Sequence, residues 1–319
     1  MNEPESSPGA PAVAPRIAVV VCTYNRADRL PACLASLTVQ DLPHSDWEII
    51  VIDDGSTDTT PTVCAQFAHL PNLRVIRQAN AGLGAARERG WRATTAPVVG
   101  FLDDDAVAPP GWLRLAVDHF ASAAPLAACL GGPTRGQWEI PPPAWLDAGL
   151  SLYLTVWAPY AERRESATDH LFVGANMFFR RAALEAVHGF DAGLGRRGAS
   201  LLSHEESDLW DRLRAAGYRG VYEPSLWVFH YVPAARLTPA WFRRRIYWEG
   251  VSIARRARLP RRPLRGLRLM VFALVDRPVL SHLAHPARWG RSLAWQCHIA
   301  YQWGYARELF RGSPPPPSP

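Results

Sequence analysis

The chain has 319 residues, 48% of them hydrophobic, which is enough to bury a large core in one domain with an appended subdomain. All 35 basic residues are arginines, which excludes P-loop and Schiff-base lysine chemistry, and the net charge of +6 arises mainly between residues 236 and 291, where fourteen arginines face only Glu249 and Asp276. No basic stretch leads into an apolar core at the N-terminus, and the five cysteines show no close pairing. The longest apolar candidate, 269–280, is broken by Asp276 and Arg277, so a secretory leader, a disulfide framework and a membrane span are all unexpected and a reducing cytoplasm is the natural setting.

Residues 1–15 and 312–319 are rich in Pro, Ser and Gly without hydrophobic periodicity and read as disordered tails. From Arg16 to about Phe120, β-rich apolar runs (17–22, 47–53, 73–77 and 97–103) alternate with amphipathic stretches of helical length (28–39, 57–68 and 82–93). That rhythm predicts an α/β fold of right-handed βαβ units, a Rossmann-like and largely parallel sheet with helices on both faces, whose ligand site lies at the carboxyl ends of the strands. A Pro- and Trp-rich connection over 131–161 is followed by a predicted helix from Glu205 and a run, 221–232, that reads as one strand ending in His230. The division expected is one α/β domain over 16–232, with a front half to residue 120 and a second half from 121, and then a basic helical extension over 233–311.

Three polar clusters close the predicted strands: Thr23, Tyr24, Asn25; Asp53, Asp54, Gly55, Ser56; and Asp103, Asp104, Asp105. Any one of them suits a turn or a helix cap, but all three would meet on one rim. Three adjacent carboxylates repel one another, and a divalent cation removes that penalty. Hard oxygen ligands suit Mg²⁺ or Mn²⁺, with positions left for phosphate oxygens; His230, if a ligand, favours Mn²⁺. Gly82 and Arg87 lie in NAGLGAARERGW, where small residues permit close approach and arginine suits phosphate; without a third glycine at the dinucleotide spacing, NAD binding is rejected. Glu205 and Glu206 open the predicted helix at 205, either complementing its dipole or offering a general base.

Taken in order, these segments resemble the family 2 glycosyltransferases of the GT-A fold. VVVCTYNRADRLPACLASL is similar to the family's first strand and helix, IIVIDDGSTDTT to its second strand and acidic turn, and VVGFLDDDAVAPPGWL to its D-x-D segment; HEESDLWDRLRAAGY and VYEPSLWVFH are similar to its acidic helix and closing strand. The resemblance runs from about Ile17 to His230. It implies a nucleoside-diphosphate sugar donor with Thr23, Asn25, Arg29 and Asp54 at the nucleoside and Asp103 near the ribose, Gly82, Arg87 and Asp104 lining the same site. Asp105 and His230, with Asp103, would be ligands of Mn²⁺ or Mg²⁺, and Glu206 the base of an inverting displacement. The family usually has Glu-Asp where this chain has Glu205-Glu206, so the base lies among Glu205, Glu206 and Asp208. The expected acceptor is a glycan or a lipid-linked glycan.

Two other readings compete. A catalytically silent nucleotide-sugar-binding protein would keep the pocket and lose the base, which the presence of Glu206, Asp105 and His230 together argues against. A nucleic-acid-binding protein would use the arginines, yet they lie away from an acidic rim that repels phosphate. The basic stretch 241–258 reads as an amphipathic helix that either packs over the site or rests peripherally on an anionic membrane at the cytoplasmic face.

Overall fold

The computed structural model describes residues 14–275 and 293–312. The expected tails, apart from residues 14, 15 and 312, and the stretch 276–292 with Asp276, Arg277, Arg288 and Arg291 lie outside the described residues. The chain opens with β1 (Ile17–Thr23), α1 (Leu30–Thr38), β2 (Trp47–Asp53), α2 (Thr60–Gln66), β3 (Leu73–Arg77), α3 (Leu83–Arg92) and β4 (Val98–Leu102). β3, β2, β1 and β4 lie side by side and parallel, as the alternating pattern predicts. Their order places β1 at the centre, so the rim clusters after β1, β2 and β4 are neighbours.

Successive strand residues point to opposite faces, and since both faces are buried it is the packing partners that alternate with that period of two. Ile17, Val19, Val21, Ile49 and Val51 pack with Leu30, Leu34 and Trp112 on one face. Val20, Ile50, Ile52 and Phe101 pack with Trp91, Leu209 and Leu213 on the other. Each such aliphatic side chain, fully buried, contributes roughly 1.5–3 kcal/mol, which makes the two-sided core the main support of the rim.

The second half departs from an all-parallel sheet. β9 (Asn176–Arg180) enters antiparallel between β4 and β6 (Ala127–Gly131), and β10 (Arg219–Tyr222) runs parallel to β6. The short β8 (Arg164–Ser166) closes that edge antiparallel to β10, completing an eight-stranded order β3-β2-β1-β4-β9-β6-β10-β8. The run 221–232 is not one strand. It breaks at Glu223 and Pro224, where the missing amide hydrogen of proline ends the ladder, and resumes as β11 (Val228–Val232) in a second sheet between β5 (Ala106–Val107) and β7 (Thr134–Trp138). His230 therefore sits inside β11, opposite Ala106, with Tyr231 N donating to Asp105 O at 2.9 Å. This register delivers His230 to the carboxylates that follow β4.

α4 (Trp112–Ser122) and α6 (Arg181–Ala186) cover the sheet, and α7 (Glu205–Ala215) presents its N-terminus to the rim with Glu205, Glu206 and Asp208 in its first turn, where negative charge complements the helix dipole. The extension follows with α8 (Pro239–Arg256), capped by the Thr238 hydroxyl accepting from Trp241 N, then α9 (Pro263–Val275) and a C-terminal helix (Leu293–Arg311). α8 and the C-terminal helix meet at Gly250 and Gly304; a β-carbon at either would collide with the backbone carbonyl of Tyr301 or Tyr247. Among the described residues no helix is long and apolar enough to cross a membrane.

Candidate active site

The rim is built by mutual bracing. Asn25, in the left-handed region at φ 53°, donates its N–H to Ser56 Oγ at 2.9 Å and accepts from the backbone of Thr57 at 2.8 Å, locking the end of β1 to the turn after β2. Asp54 accepts from Ala81 N and Gly82 N at 2.9 and 2.8 Å and from Gln78 Nε2 at 2.6 Å, which fixes the loop leading into α3. Gly82 adopts φ 97°, and a side chain there would press on Arg196 O and Arg197 Cβ, so glycine meets a backbone requirement at this position.

Below this rim lies a cavity of about 690 Å³. Thr23, Asn25, Asp54, Arg87, Asp103, Asp104, Asp105, His230, Glu205 and Glu206 all line it. Three expected site residues do not. Arg29 lies over the Tyr231 ring at 3.6 Å and pairs with Asp28 at 3.0 Å, Gly82 shapes the loop behind, and Asp208 turns away to Arg212 at 2.9 Å and Arg258 at 3.7 Å.

Asp103, Asp105 and His230 offer ligand atoms all within 4.8 Å of one another, with His230 Nε2 3.2 Å from Asp105 Oδ1. His230 Nδ1 is buried without a hydrogen-bond partner among the described residues. Two carboxylates and an imidazole are a donor set that fits a divalent cation. Burial alone would raise the Asp105 carboxyl, but the imidazole of His230 and the guanidiniums of Arg236 and Arg26 hold it well below the usual carboxylate range. Asp104 is pushed up to about 7 by burial and the charge of Asp105, against Arg26. The cluster thus shows the like-charge frustration that a cation relieves.

Arg87, almost fully buried, links the acidic helix to the carboxylate run: it donates to Glu205 Oε1 at 2.5 Å and to Asp103 Oδ1 and Gly174 O at 3.0 Å. Burial and neighbouring Glu206 raise Glu205 to about 7, against the pull of Arg87. Glu206 behaves oppositely. Burial would raise it, yet His204, Arg87 and His170 bring it below its ordinary value, and among the described residues no side chain hydrogen-bonds it. The two adjacent acids therefore have distinct surroundings: Glu205 is held by Arg87, whereas Glu206 lines the cavity with no side-chain hydrogen bond among the described residues.

Several cavity residues escape sequence reasoning. Arg26 approaches Asp104 at 3.8 Å and Asp105 at 3.7 Å, although Arg29, three residues on, is the arginine that the resemblance implies. Arg196 and Trp157 come from loops and Tyr153 from a single 3-10 turn, all without periodic signal, and Arg236, Trp241, Arg245 and Glu249 come from the extension. Their only sequence signal is the clustering of charge and aromatic residues after 130, which does not say where they point.

Comparison with solved structures places this architecture. The mannosyltransferase PcManGT of Pyrobaculum calidifontis superposes with a TM-score of 0.62 at 22% identity, covering 97% of this chain and 90% of that one. TarS residues 1–349 of S. aureus superpose with a TM-score of 0.55 at 17% identity, covering 93% and 91%. The fold is thus of the GT-A glycosyltransferase class. Residues 18–187, more than half of the chain, match the family described as Glycosyl transferase family 2; the chain belongs to that family and is a glycosyltransferase. Among its relatives, the glucosyl-dolichyl phosphate glucuronosyltransferase of Haloferax volcanii is 26% identical over 244 residues, 74% of this chain and 76% of the relative. A validoxylamine A glucosyltransferase of Streptomyces hygroscopicus is 36% identical, but over only 39% of this chain and 30% of its own length.

Proposed function

We propose that this enzyme moves a sugar from a nucleoside diphosphate to a hydroxyl of a glycan or lipid-linked acceptor, with inversion at the anomeric carbon and Glu206 as general base. The observation that carries the proposal is the meeting, in one cavity, of the Asp103, Asp105 and His230 group with a carboxylate, Glu206, that no side chain among the described residues hydrogen-bonds. Asp105 and His230, with Asp103, would hold a divalent ion, which when bound neutralises the charge of a departing diphosphate. Thr23, Asn25 and Asp54 at the β1 and β2 ends form the wall against which a nucleoside would lie, and Arg26, Arg196 and Arg236 face the same space as cations suited to phosphate. Glu206 removes the acceptor proton as the new bond forms. PcManGT was solved with GDP-Man and Mn²⁺, and TarS with UDP, which supports a nucleotide-sugar donor and favours manganese.

The test is a panel of nucleotide sugars scored for release of nucleoside diphosphate with Mn²⁺, with Mg²⁺ and with chelator. Metal-dependent release from at least one donor is expected, and none from any donor would refute the reading. Asp105→Ala should also lower metal-enhanced binding of the cognate nucleoside diphosphate by more than tenfold in calorimetry. Wild-type affinity with metal would remove Asp105 from the ligand set.

A peripheral site on an anionic membrane fits the extension. α9 exposes Leu264 (77%), Leu267 (53%) and Val271 (52%) on one side, and the exposed Arg261, Arg262, Arg265 and Arg268 make no ion pairs among the described residues. Such a face suits the interface of an anionic bilayer, where each arginine contributes about 1 kcal/mol. The protein should co-sediment with anionic vesicles at low salt and be released by high salt; no binding at low salt would assign the arginines to an anionic acceptor or to plain solvation.

A further inference from the structure

The cavity wall formed by α8 carries ionisable groups that the proposed chemistry does not use. His204, the residue before α7, is a non-glycine in the left-handed region at φ 75°. Its ring is held at both ends: Nε2 lies 2.7 Å from Glu249 Oε1 and Nδ1 3.1 Å from Ser207 Oγ. A carboxylate and a hydroxyl can both accept, so the doubly protonated ring satisfies both contacts. The second Glu249 oxygen accepts from Arg245 Nη1 at 2.8 Å, and one turn further along α8 Ser252 Oγ accepts from Ser203 N at 3.1 Å. The extension thus grips the start of the acidic helix at two points.

We propose that Glu249 and His204 are positioning residues for Glu206, the carboxylate of α8 keeping a cation two residues before the base so that the base stays ionised in an otherwise acidic cavity. This rests on the reading of Glu206 as base. Besides His204, the groups facing Glu206 are Glu205 on its own helix, Arg87 from α3 and His170 from the segment before β9. His204 in turn faces Glu249 and Arg256 from α8, and Arg245 stands behind Glu249. Asp54, Asp103, Asp104, Asp105 and Glu205 line the same cavity, and negative charge of that density favours protonation of any further acid. Against it, the Glu249 bond raises His204 despite burial, Glu249 itself is held at about 2, and the charge of His204 lowers Glu206.

Glu249→Gln keeps the shape and removes the charge that holds the imidazolium. His204 then loses its proton at lower pH, Glu206 loses its cation, and the acidic limb of the kcat profile moves to higher pH by on the order of one unit, with turnover recovering at alkaline pH. His204→Gln should shift the limb similarly, and the double variant no further, because the two act in series. An unmoved limb, or an equal loss at every pH, would overturn the proposal. Since a variant could perturb folding, histidine NMR of the wild-type protein supplies an independent check: the His204 ring should titrate above the ordinary value of about 6.5, and titration at or below it would also overturn the pair. Full activity of Glu206→Gln would instead refute the base, whereas an inactive Glu206→Gln with an unshifted Glu249→Gln would refute the pair alone.

Discussion

Glu206→Gln is expected to lower kcat by roughly 10²- to 10⁴-fold while leaving affinity for the sugar donor near that of the wild type. A hydroxyl is a poor nucleophile at neutral pH, and a carboxylate placed to take its proton in the transition state supplies an acceleration of that size. Glutamine preserves volume and hydrogen-bonding shape, so the loss isolates basicity. Three acids stand within four residues, and their surroundings separate their expected behaviour. Glu205 is engaged by Arg87 inside the protein, so Glu205→Gln should be milder in kcat. Asp208 faces Arg212 and Arg258 outside the cavity, so Asp208→Asn should retain most turnover. Steady-state kinetics of the three variants decide the matter. Near-wild-type turnover in Glu206→Gln, or collapse only in Asp208→Asn, would move the base elsewhere.

Arg87→Met should destabilise the fold by roughly 1–3 kcal/mol, because it leaves Glu205 Oε1, Asp103 Oδ1 and Gly174 O without the buried donor that links them, while Glu205 takes up a proton in place of the lost cation. Arg87 is only 2% exposed, so solvent cannot take over its role. The remedy identifies the cause: adding Glu205→Gln to Arg87→Met removes the acid that must otherwise be protonated and should recover part of the loss, most at alkaline pH. Guanidinium unfolding of the single and double variants measures both effects. A midpoint for Arg87→Met equal to that of the wild type would show the link to be incidental.

The front half of the fold was legible because its physics is local. β1 to β4 alternate apolar runs with amphipathic helices, and their polar ends fall at known positions in the chain, so a shared rim followed from parallel strands alone. What stayed hidden depends on register and on long-range packing. The run 221–232 reads as one strand from its apolar pattern, whereas the chain breaks at Glu223 and Pro224 and the two parts join different sheets, a tertiary choice. The pairing of β11 with β5 that brings His230 to Asp105 leaves no periodic mark. Arg26 and Arg29 occupy the same turn region, and only the path of the backbone through Asn25 sends the first into the cavity and the second onto Tyr231. The sequence of α8 suits the site and a membrane surface equally, since an arginine-rich amphipathic pattern fits both, and the inward side of Arg245 and Glu249 emerges from the crossing at Gly250 and Gly304.

The most direct measurement of the central claim is the anomeric configuration of the product, read by proton NMR from the coupling at the anomeric carbon once a cognate donor and acceptor are in hand. A base on the acceptor side of the cavity, with no enzyme nucleophile invoked, requires a single displacement, so the new linkage should have the configuration opposite to that of the sugar in the donor. A product that retains the donor's configuration would contradict the assignment of Glu206 and the mechanism built on it.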